Sequence, residues 1–448
     1  MIFKAYDVRG LYPQEFNEEI ACKIVNFFVK KYGIESLALG RDVRNSSSSI
    51  LEKIALSVPV NKTISYGLIP TPIFFNFSKH HDGGVLVTAS HNPPEYNGLK
   101  FSFQGKSLRS EEIAELSESL NQIKECPQIK QRVVKVDKKQ YLEKYKSFLY
   151  KHVEKFDGTN VIVDYANGSM AYVGKDLLGE VIAINDHPDG SFPAHLPDPS
   201  KPSNLSVLID MVKEKGYLGV GFDGDGDRIG IVAEDGSFIT GDKVLAVLAS
   251  YLSEKFNKKI KVVTEVNVSK GVVEFLESKG IKVHITKVGR VNIEEEMHEK
   301  GYDIGGELSG HFYFNLDGEV YEDAILALHL LKEFLSHKGL KMKDTVKEIP
   351  FYYSTPPIRV KLNNWEMQEK MLNHLAQNYE DLFDNIERVI TIDGLRVEMP
   401  NGWFIMRKSN TEPVIALRVE GKDKKDVDQI LEKLNNAFSK FGINFSQE

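Results

Sequence analysis

Short apolar runs and amphipathic segments alternate through the first part of the chain. Residues 17–31 carry apolar side chains at helical spacing, residues 36–39 form a strand-like apolar run, and residues 48–56 again have a helical pattern. A further apolar run, Gly84–Val87, then leads into a polar segment. Because strands that alternate with helices pack as layered units, this pattern predicts an α/β domain.

The same alternation continues to about residue 352. Its predicted strands are 160–163, 218–222, 229–232, 261–264, 282–285, 303–305 and 312–314, and its predicted helices are 137–155 and 242–256. The apolar runs are short and are bounded by glycine and polar residues, which is typical of buried strands.

A weak internal repeat runs through this region. Three times an apolar strand leads into a glycine-bearing polar loop, returns as a second apolar strand and then turns at a glycine. The loops are 88–100, 223–228 and 306–311, and the turns lie at Gly105, Gly236 and Gly318. The period is about one domain, which is too long for a solenoid. We therefore predict three similar mixed α/β domains whose loops line one central cleft.

The last segment has a different pattern. Its strand-like runs are 358–362, 388–392, 394–399, 403–406 and 414–419, and its helical stretches are 365–379 and 425–441. Short strands with few helices between them predict a smaller α+β domain with an antiparallel sheet. The predicted domains are therefore 1–156, 157–256, 257–352 and 353–448.

Length, charge and cysteine content narrow the classes of function. The chain of 448 residues is too long for one core, and its net charge of −7 gives no reason to expect nucleic acid or an anionic membrane as partner. No apolar run is long enough to span a bilayer, and Met1–Asp7 does not resemble a signal peptide. Only Cys22 and Cys126 occur, so no disulfide framework is expected. We therefore expect a cytoplasmic protein.

The sequence Asp223-Gly-Asp-Gly-Asp-Arg228 carries the strongest chemical pattern. Its three carboxylates alternate with glycines between two apolar strands. Burying unpaired charge costs several kcal/mol, so this stretch is expected to be a loop and not a core strand. The glycines permit a tight turn that directs the acids to one point, and such a set of oxygen ligands suits Mg²⁺.

The acidic loop has two alternative interpretations. A calcium loop would use Glu234, the twelfth residue from Asp223, but its sixth position is Arg228 where an EF-hand needs glycine. A solvated acidic turn would not explain a cation locked beside three acids. Arg228 instead suggests a site that also holds an anion.

Ser90 is a candidate nucleophile in a rigid polar segment followed by two prolines. A capping or turn serine is the alternative, and no Gly-x-Ser-x-Gly elbow is present. Since neighbouring side chains diverge, a Ser90–His91 pair is doubtful. A phosphorylated Ser90 would complete a Mg²⁺ shell with the three aspartates. Lys100, expected in the same loop, would serve as acid or base if its pKa were lowered.

Two further loops carry polar side chains at high density. Arg407, Ser409, Asn410 and Thr411 offer a guanidinium, two hydroxyls and an amide, which suits a phosphate dianion, although a polar hairpin turn is an alternative. Glu307, Ser309 and His311 offer donors and acceptors of the kind that would read sugar hydroxyls. Taken alone, this second loop is weak evidence.

These loops resemble those of the α-D-phosphohexomutases, and the phosphomannomutase/phosphoglucomutase branch most closely, over about residues 3–445. Thr88-Ala-Ser-His-Asn-Pro93 resembles the phosphoserine loop of that family, and Asp223-Gly-Asp-Gly-Asp-Arg228 its Mg²⁺ loop. Gly306-Glu-Leu-Ser-Gly-His311 is similar to its sugar loop, and Arg407-Lys-Ser-Asn-Thr-Glu-Pro413 to its phosphate loop.

The resemblance implies four domains around a cleft and assigns roles to single residues. Phosphorylated Ser90 would ligate Mg²⁺ together with Asp223, Asp225 and Asp227. The acid/base or charge-stabilising groups would come from Arg9, Lys100 and His311, with their individual roles open. The substrate-binding residues would be Tyr6, Arg228, Lys287, Glu307, Ser309, His311, Arg407, Ser409, Asn410 and Thr411.

The implied reaction interconverts hexose 1-phosphate and hexose 6-phosphate, with mannose or glucose as the sugar, through a 1,6-bisphosphate. Glucose or mannose 1,6-bisphosphate would act as activator, and the protein would be a monomer or weak dimer that binds only small sugar phosphates. Leu308 stands where the dual-specificity branch commonly has Met. Phosphoglucosamine mutase is the alternative inside the family. A metal-dependent sugar phosphatase and a non-catalytic sugar-phosphate sensor are alternatives from other classes.

Overall fold

The computed structural model describes residues 2–129, 132–409 and 412–443, which form four β-sheets in sequence order. The first sheet contains β1 Val8–Leu11, β2 Ser36–Arg41, β3 Lys62–Leu68, β4 Gly83–Val87, β5 Tyr96–Phe103, β6 Lys106–Ser107 and β7 Val133–Lys135. The accompanying helices are α1 Glu18–Tyr32, α2 Ser47–Ala55, α3 Thr71–Ser78, α4 Ser110–Glu115, α5 Ser119–Gln122 and α6 Lys138–His152.

The second and third sheets each have five strands. The second contains β8 Val161–Asp164, β9 Ile182–Ile184, β10 Leu218–Phe222, β11 Ile229–Val232 and β12 Phe238–Ile239, with helices α7 Met170–Leu178 and α8 Ser206–Lys215. The third contains β13 Lys261–Glu265, β14 Lys282–Thr286, β15 Ile304–Gly306, β16 Phe312–Leu316 and β17 Glu319–Glu322. Around it lie α9 Gly241–Lys255, α10 Lys270–Ser278, α11 Arg290–Lys300, α12 Ala324–Lys338 and α13 Met342–Thr345.

The fourth sheet is antiparallel throughout its paired strands. It contains β18 Tyr353–Ser354, β19 Ile358–Lys361, β20 Arg388–Ile390, β21 Leu395–Met399, β22 Gly402–Lys408 and β23 Val414–Gly421. Two helices, α14 Trp365–Leu382 and α15 Lys424–Ser439, complete this α+β unit. Short 3₁₀ turns at Leu116–Glu118, Pro202–Leu205 and Val346–Glu348 connect elements of the first three units.

The first three sheets share one strand order. It reads β6-β5-β4-β2-β3 in the first, β12-β11-β10-β8-β9 in the second and β17-β16-β15-β13-β14 in the third. In each, a central parallel strand turns back as an antiparallel strand, and a glycine with positive φ then leads into the outer strand: Gly105 at 79°, Gly236 at 86° and Gly318 at 86°. The predicted threefold repeat and the predicted fold class are both confirmed.

One cluster of buried apolar side chains runs through all four units. It includes Phe74 beside the first sheet, Phe222 in the second, Leu328 in the third unit and Trp403 in the fourth. The first and fourth units also have separate cores of their own, the fourth around Val397. The four units are therefore packed together through one shared core.

A cationic contact mounts the fourth unit on the third. Arg396, fully buried, donates through Nη1 to the carbonyls of Val266 and Val268, both at 2.7 Å. Its guanidinium lies 3.8 Å from the centre of the Trp403 ring, and Trp403 Nε1 donates to Glu420 Oε2 at 2.8 Å. A charge stacked on an aromatic face and bonded to carbonyls is directional, so the contact fixes the angle between these two units.

The cysteines contradict the expectation from the sequence. Cys22 in α1 and Cys126 after α5 form a disulfide across 104 residues of sequence, with their Cα atoms 6.1 Å apart. The expectation of no disulfide framework is therefore wrong for this one pair, because the first unit folds a distant segment back onto α1. Within the described ranges, no helix combines the length and the apolar composition that crossing a bilayer requires. The expected cytoplasmic location and the four domain boundaries stay predictions.

A buried histidine in α12 predicts a loss of stability in acid. His329 is 2% exposed, and its ring packs 4.9 Å from that of Phe156. Burial lowers the pKa of His329 from 6.5 to about 4, so below pH 6.5 the unfolded chain binds a proton at this residue and the folded chain does not. The free energy of unfolding is therefore unaffected by His329 above pH 6.5. It falls as the pH is lowered, by about 2 kcal/mol at pH 5.

The prediction is checked with urea unfolding of the wild type and of His329→Phe at pH 7.5 and pH 5. The wild-type midpoint should fall more than the variant midpoint between the two pH values, because phenylalanine cannot titrate. Equal falls in the two proteins would contradict the role given to His329.

Candidate active site

Ser90 lies in the turn that connects β4 to β5. It is 1% exposed and has a φ of 49°. This left-handed backbone conformation is unfavourable for residues other than glycine. Its amide donates to Thr88 Oγ1 at 2.9 Å, and its hydroxyl donates to Asp223 Oδ2 at 2.8 Å. The candidate nucleophile therefore touches the acidic loop of the second unit, as the phosphoserine hypothesis requires.

The neighbouring His91 corrects one expectation. Its side chain was expected to diverge from Ser90, yet its Nδ1 lies 3.3 Å from Ser90 Oγ, because the left-handed turn brings the two side chains to one side. Burial and the nearby charges of Arg228 and Arg9 lower the pKa of His91 far below its usual range. Its imidazole is therefore neutral at physiological pH.

The acidic loop is closed by its own first residue. Asp223 Oδ1 accepts three backbone N–H groups, from Gly226 at 2.8 Å, Asp227 at 3.0 Å and Arg228 at 3.2 Å. Gly226 has a φ of 79°, which the turn needs and which a side chain would strain. The alternation of aspartate and glycine thus produces a nest of amides around one carboxylate, and the other two acids project beside it.

Asp223, Asp225 and Asp227 are all fully buried, and a carboxylate oxygen from each lies within 4.8 Å of the others. Among the described residues, Asp225 Oδ1 has no hydrogen-bond partner. Burial and the two neighbouring carboxylates raise the pKa of Asp223 well above its usual value. Converging buried oxygens with an unused acceptor fit a hard divalent cation, so these residues suit Mg²⁺.

Lys100 lies in strand β5 and not in the loop predicted for it, because β5 begins at Tyr96. Its ammonium is 2.8 Å from Asp225 Oδ2 and 2.5 Å from Asp227 Oδ2. Burial lowers its pKa, but the two carboxylates outweigh burial and raise the pKa above the usual value. This arrangement contradicts the lowered pKa that Lys100 would need as a base.

The third unit contributes His311 from the turn between β15 and β16. Its Nδ1 lies 2.6 Å from Glu307 Oε2 and 3.1 Å from Ser309 Oγ, and its Nε2 lies 3.3 Å from Asp227 Oδ1. Burial and Arg228 lower the pKa of His311, but Asp227 and Glu307 raise it to about 9. Arg228 Nε donates to His311 Nε2 at 3.1 Å, so His311 connects the sugar loop to the acidic loop through Arg228 as well as through Asp227.

Close backbone contacts lock the three loops together. A Cβ atom on Gly224 would lie 2.5 Å from the carbonyl oxygen of Ser90, and one on Gly310 would lie 2.2 Å from that of Ile229. The amide of Ile229 also donates to the carbonyl of Gly310 at 3.1 Å. The glycines therefore allow each loop to reach its neighbour, which brings the first, second and third units to one point.

Tyr6 and Arg9 border this point from the N-terminal segment. The Tyr6 hydroxyl donates to the carbonyl of Val288 at 2.8 Å, and its ring occupies the space beside Gly289. Arg9 donates through Nη1 to Asn92 Oδ1 at 2.8 Å, so it lies at the edge of the Ser90 turn. Tyr6 therefore spans the joint between the first and third units, whereas Arg9 stays within the first.

The phosphate loop of the fourth unit is described in part. Arg407 Nη2 lies 2.8 Å from Asp393 Oδ2, and the amide of Ser409 donates to the carbonyl of Val414 at 2.9 Å. The same Asp393 oxygen accepts the amide of Val288 in the third unit at 3.0 Å, so Arg407 lies beside the joint between the third and fourth units. Asn410 and Thr411 lie outside the described residues.

Lys287 is placed differently from the other expected residues. Its side chain is exposed, and among the described residues it has no ion pair. Its role in substrate binding therefore stays a prediction.

Sequence reasoning missed several buried charged residues around the site. Glu322 at the end of β17 accepts from Arg290 Nη1 at 2.8 Å and lies 3.6 Å from His311 Nε2. Arg44 holds the backbone of the Ser90 turn. Arg44 carried one usable signal, since a charged Arg-Asp-x-Arg run directly follows an apolar strand. Glu322 had none, because an acid before an apolar helix also occurs as a simple cap.

Comparison with known proteins matches all of this architecture. Models of the phosphoglucomutase/phosphomannomutase family match as follows: alpha/beta/alpha domain I at residues 1–126, domain II at 139–236, domain III at 240–353 and the C-terminal domain at 358–437. The chain is 33% identical over 452 residues to a phosphomannomutase from Methanocaldococcus jannaschii, with 98% of each chain covered. It is 32% identical over 454 residues to a phosphoglucosamine mutase from the same organism, covering 96% of this chain and 97% of that one.

A solved structure has the same fold over its whole length. The crystal structure of a phosphoglucomutase/phosphomannomutase family protein from Burkholderia thailandensis superposes with a TM-score of 0.89 at 27% identity. The match covers 99% of both chains.

The acidic loop predicts a measurable metal site. Asp225→Asn keeps the shape of the side chain but removes one of three converging charges, so Mn²⁺, used as a paramagnetic substitute for Mg²⁺, should bind at least about tenfold more weakly. Electron paramagnetic resonance titration of free Mn²⁺ measures this. Asp186→Asn, in an exposed loop, is the matched control and should bind as the wild type does. Equal affinities in all three proteins would remove Asp225 from the ligand set.

Proposed function

We propose that this chain, which belongs to the phosphoglucomutase/phosphomannomutase family of phosphohexomutases, interconverts the 1- and 6-phosphates of glucose and of mannose. Members of this family are isomerase-class phosphotransferases. The observation that carries the proposal is the 2.8 Å contact between Ser90 Oγ and Asp223 Oδ2 inside a buried group of three acids. A phosphate on that oxygen would face the metal ligands directly.

The reaction proceeds in two half-reactions. Phosphorylated Ser90 gives its phosphoryl group to the free hydroxyl of a hexose monophosphate, so the P–Oγ bond breaks and a P–O bond to the sugar forms. The sugar hydroxyl loses one proton and Ser90 Oγ gains one, and the product is a hexose 1,6-bisphosphate. The bisphosphate then reverses its orientation in the cleft, and the second half-reaction returns its other phosphate to Ser90. Free glucose or mannose 1,6-bisphosphate would restore phosphoserine whenever the intermediate escapes.

Charge neutralisation is the main demand of phosphoryl transfer. Mg²⁺, held by Asp223, Asp225, Asp227 and the Ser90 phosphate, would draw charge away from the transferring group. Lys100 adds a second cation at the same acids. Arg9, Lys100 and His311 are the candidates for giving a proton to the departing Ser90 oxygen and taking one from the sugar hydroxyl, and two of them, Lys100 and His311, contact Asp227.

The site must recognise the sugar in both orientations of the bisphosphate. The 3- and 4-hydroxyls stay near the middle of the molecule in both orientations, whereas the 2-hydroxyl moves. Glu307 and Ser309 are the residues that we assign to the central hydroxyls, since both already bond to His311 beside the acids. Arg407, together with Ser409, Asn410 and Thr411, would grip the phosphate that is not reacting.

Phosphoglucosamine mutase is the second candidate, because a relative of that name is 32% identical. Thr88-Ala89 before the serine favours the mannose/glucose branch instead, whereas Leu308 departs from the Met common in its dual-specificity members. A metal-dependent sugar phosphatase would use the same residues but admit water, and it would release inorganic phosphate from every turnover. Activity on glucosamine 1-phosphate and the yield of inorganic phosphate therefore separate these alternatives.

Ser90→Ala tests the phosphoryl carrier. The variant should bind hexose phosphate but lose nearly all mutase turnover, because no side chain remains to hold the phosphate. Intact mass after incubation with glucose 1,6-bisphosphate should rise by one phosphate in the wild type only. A Ser90→Ala protein that keeps wild-type turnover would point to direct transfer between sugars or to another nucleophile.

The requirement for two orientations predicts weak discrimination at the 2-hydroxyl. A site that read this group in one orientation would leave a polar group unpaired in the other, at a cost of about 1–3 kcal/mol. The kcat/KM values for glucose 1-phosphate and mannose 1-phosphate should therefore differ by less than about 100-fold, and Glu307→Ala should lower both by similar factors. Steady-state kinetics with both sugars measures the ratio. A preference above about 10⁴-fold would contradict dual specificity.

A further inference from the structure

We propose that Arg44 is a positioning residue that holds the Ser90 turn in its reactive shape by bonding to backbone carbonyls and not to substrate. The inference rests on the function proposed above, since it concerns the geometry of the phosphate carrier. Arg44 precedes α2, and it lies 46 residues from Ser90 in the chain.

The guanidinium donates to four carbonyl oxygens of one turn. Nη2 donates to Ser90 at 2.8 Å and to Asn92 at 2.6 Å, and Nη1 donates to Pro93 at 2.6 Å and to Tyr96 at 3.0 Å. Three of these oxygens belong to the segment before β5, and the fourth belongs to Tyr96, the first residue of β5. The Pro93 oxygen also accepts from the Tyr96 amide at 3.1 Å. One side chain from a distant part of the chain bonds to all four oxygens.

The charge of Arg44 is balanced within the protein. Its Nε donates to Asp42 Oδ2 at 3.1 Å, and Asp42 Oδ1 accepts from the Arg44 amide at 3.0 Å and from Ser47 Oγ at 2.6 Å. Neither side chain of the ion pair is exposed. All five N–H groups of the guanidinium therefore have partners, and none is left for a ligand.

The turn needs an external support because its central residue is strained. A residue other than glycine is less stable at a φ of 49° than in an extended or helical backbone. Relaxing Ser90 would rotate its peptide carbonyl away from Arg44 and its hydroxyl away from Asp223. The bond from Nη2 to the Ser90 carbonyl therefore opposes the same movement that would misalign the nucleophile.

The second unit covers this support from the other side. The Phe192 ring lies 5.0 Å from the Arg44 guanidinium, and the same ring would be 3.4 Å from a Cβ on Gly224 in the acidic loop. A Cβ on Gly190 would lie 2.5 Å from the carbonyl oxygen of Val43, so that segment also needs a bare backbone to approach Arg44. Phe192 thus lies against both Arg44 and the acidic loop. This contact links the position of the Ser90 turn to that of the three aspartates.

Arg44→Lys is the informative variant. Lysine keeps the charge for Asp42, but its three donors radiate from one atom and cannot serve four carbonyls and a carboxylate. We expect phosphate transfer from glucose 1,6-bisphosphate to Ser90, followed by intact mass in rapid quench, to slow by about 100-fold. The KM for glucose 1-phosphate should stay within about threefold, because Arg44 makes no substrate contact. Arg109→Lys, whose arginine is exposed beside Glu112 in the same unit, should match the wild type.

A ³¹P spectrum distinguishes positioning from a general loss of stability. The resonance of phosphorylated Ser90 should shift in Arg44→Lys and, by a smaller amount, in Phe192→Leu, which leaves every Arg44 hydrogen bond in place. A folded Arg44→Lys protein with wild-type transfer rate and resonance would overturn the inference. If Arg44→Lys does not fold, an unshifted resonance in Phe192→Leu would overturn it. Wild-type Ser90 that takes up no phosphate would instead overturn the proposed function itself.

Discussion

Three carboxylates without solvent access are the constraint on which this structure depends. Isolated burial of such charge costs far more than a domain's net stability, so Asp223, Asp225 and Asp227 persist only where other groups compensate them. The compensation comes from three directions. Backbone amides close on Asp223, Lys100 reaches in from the first sheet, and His311 reaches in from the third. The acidic loop therefore requires the docking of its neighbours.

The repeated topology explains how three loops reach one place. Each of the first three sheets sends its loop from the same connection, between the central parallel strand and the antiparallel strand that follows it. Packing the three sheets through one apolar core then fixes three equivalent loops against each other. The fourth unit has a core of its own, adds Trp403 and Ile405 to the shared core, and is oriented by the Arg396 contact.

What the sequence predicted and what it missed follow from the range of the interactions. The acidic loop and the repeat were found because their signals are local: glycine spacing, apolar runs and alternating charge. Lys100 was placed in a loop because apolar content marks the strand only from Phe101, whereas β5 starts at Tyr96 and carries the lysine inward. Arg44 and the disulfide were missed because their partners lie 46 and 104 residues away. Backbone carbonyls leave no trace in a side-chain pattern.

Arg407 is already neutralised by the protein itself. The Asp393 oxygen that receives its guanidinium at 2.8 Å also accepts the amide of Val288 in the third unit at 3.0 Å. An anion that binds Arg407 must therefore displace the Asp393 carboxylate. Its affinity depends on the difference in free energy between the new ion pair and the one that it replaces. A monoanion resembles the carboxylate that it displaces, whereas a phosphate dianion exceeds it in charge. Asp393 would thus compete with a bound anion for Arg407 and favour anions of higher charge. Once Arg407 is displaced, the amide of Val288 is left as the partner of that Asp393 oxygen across the joint.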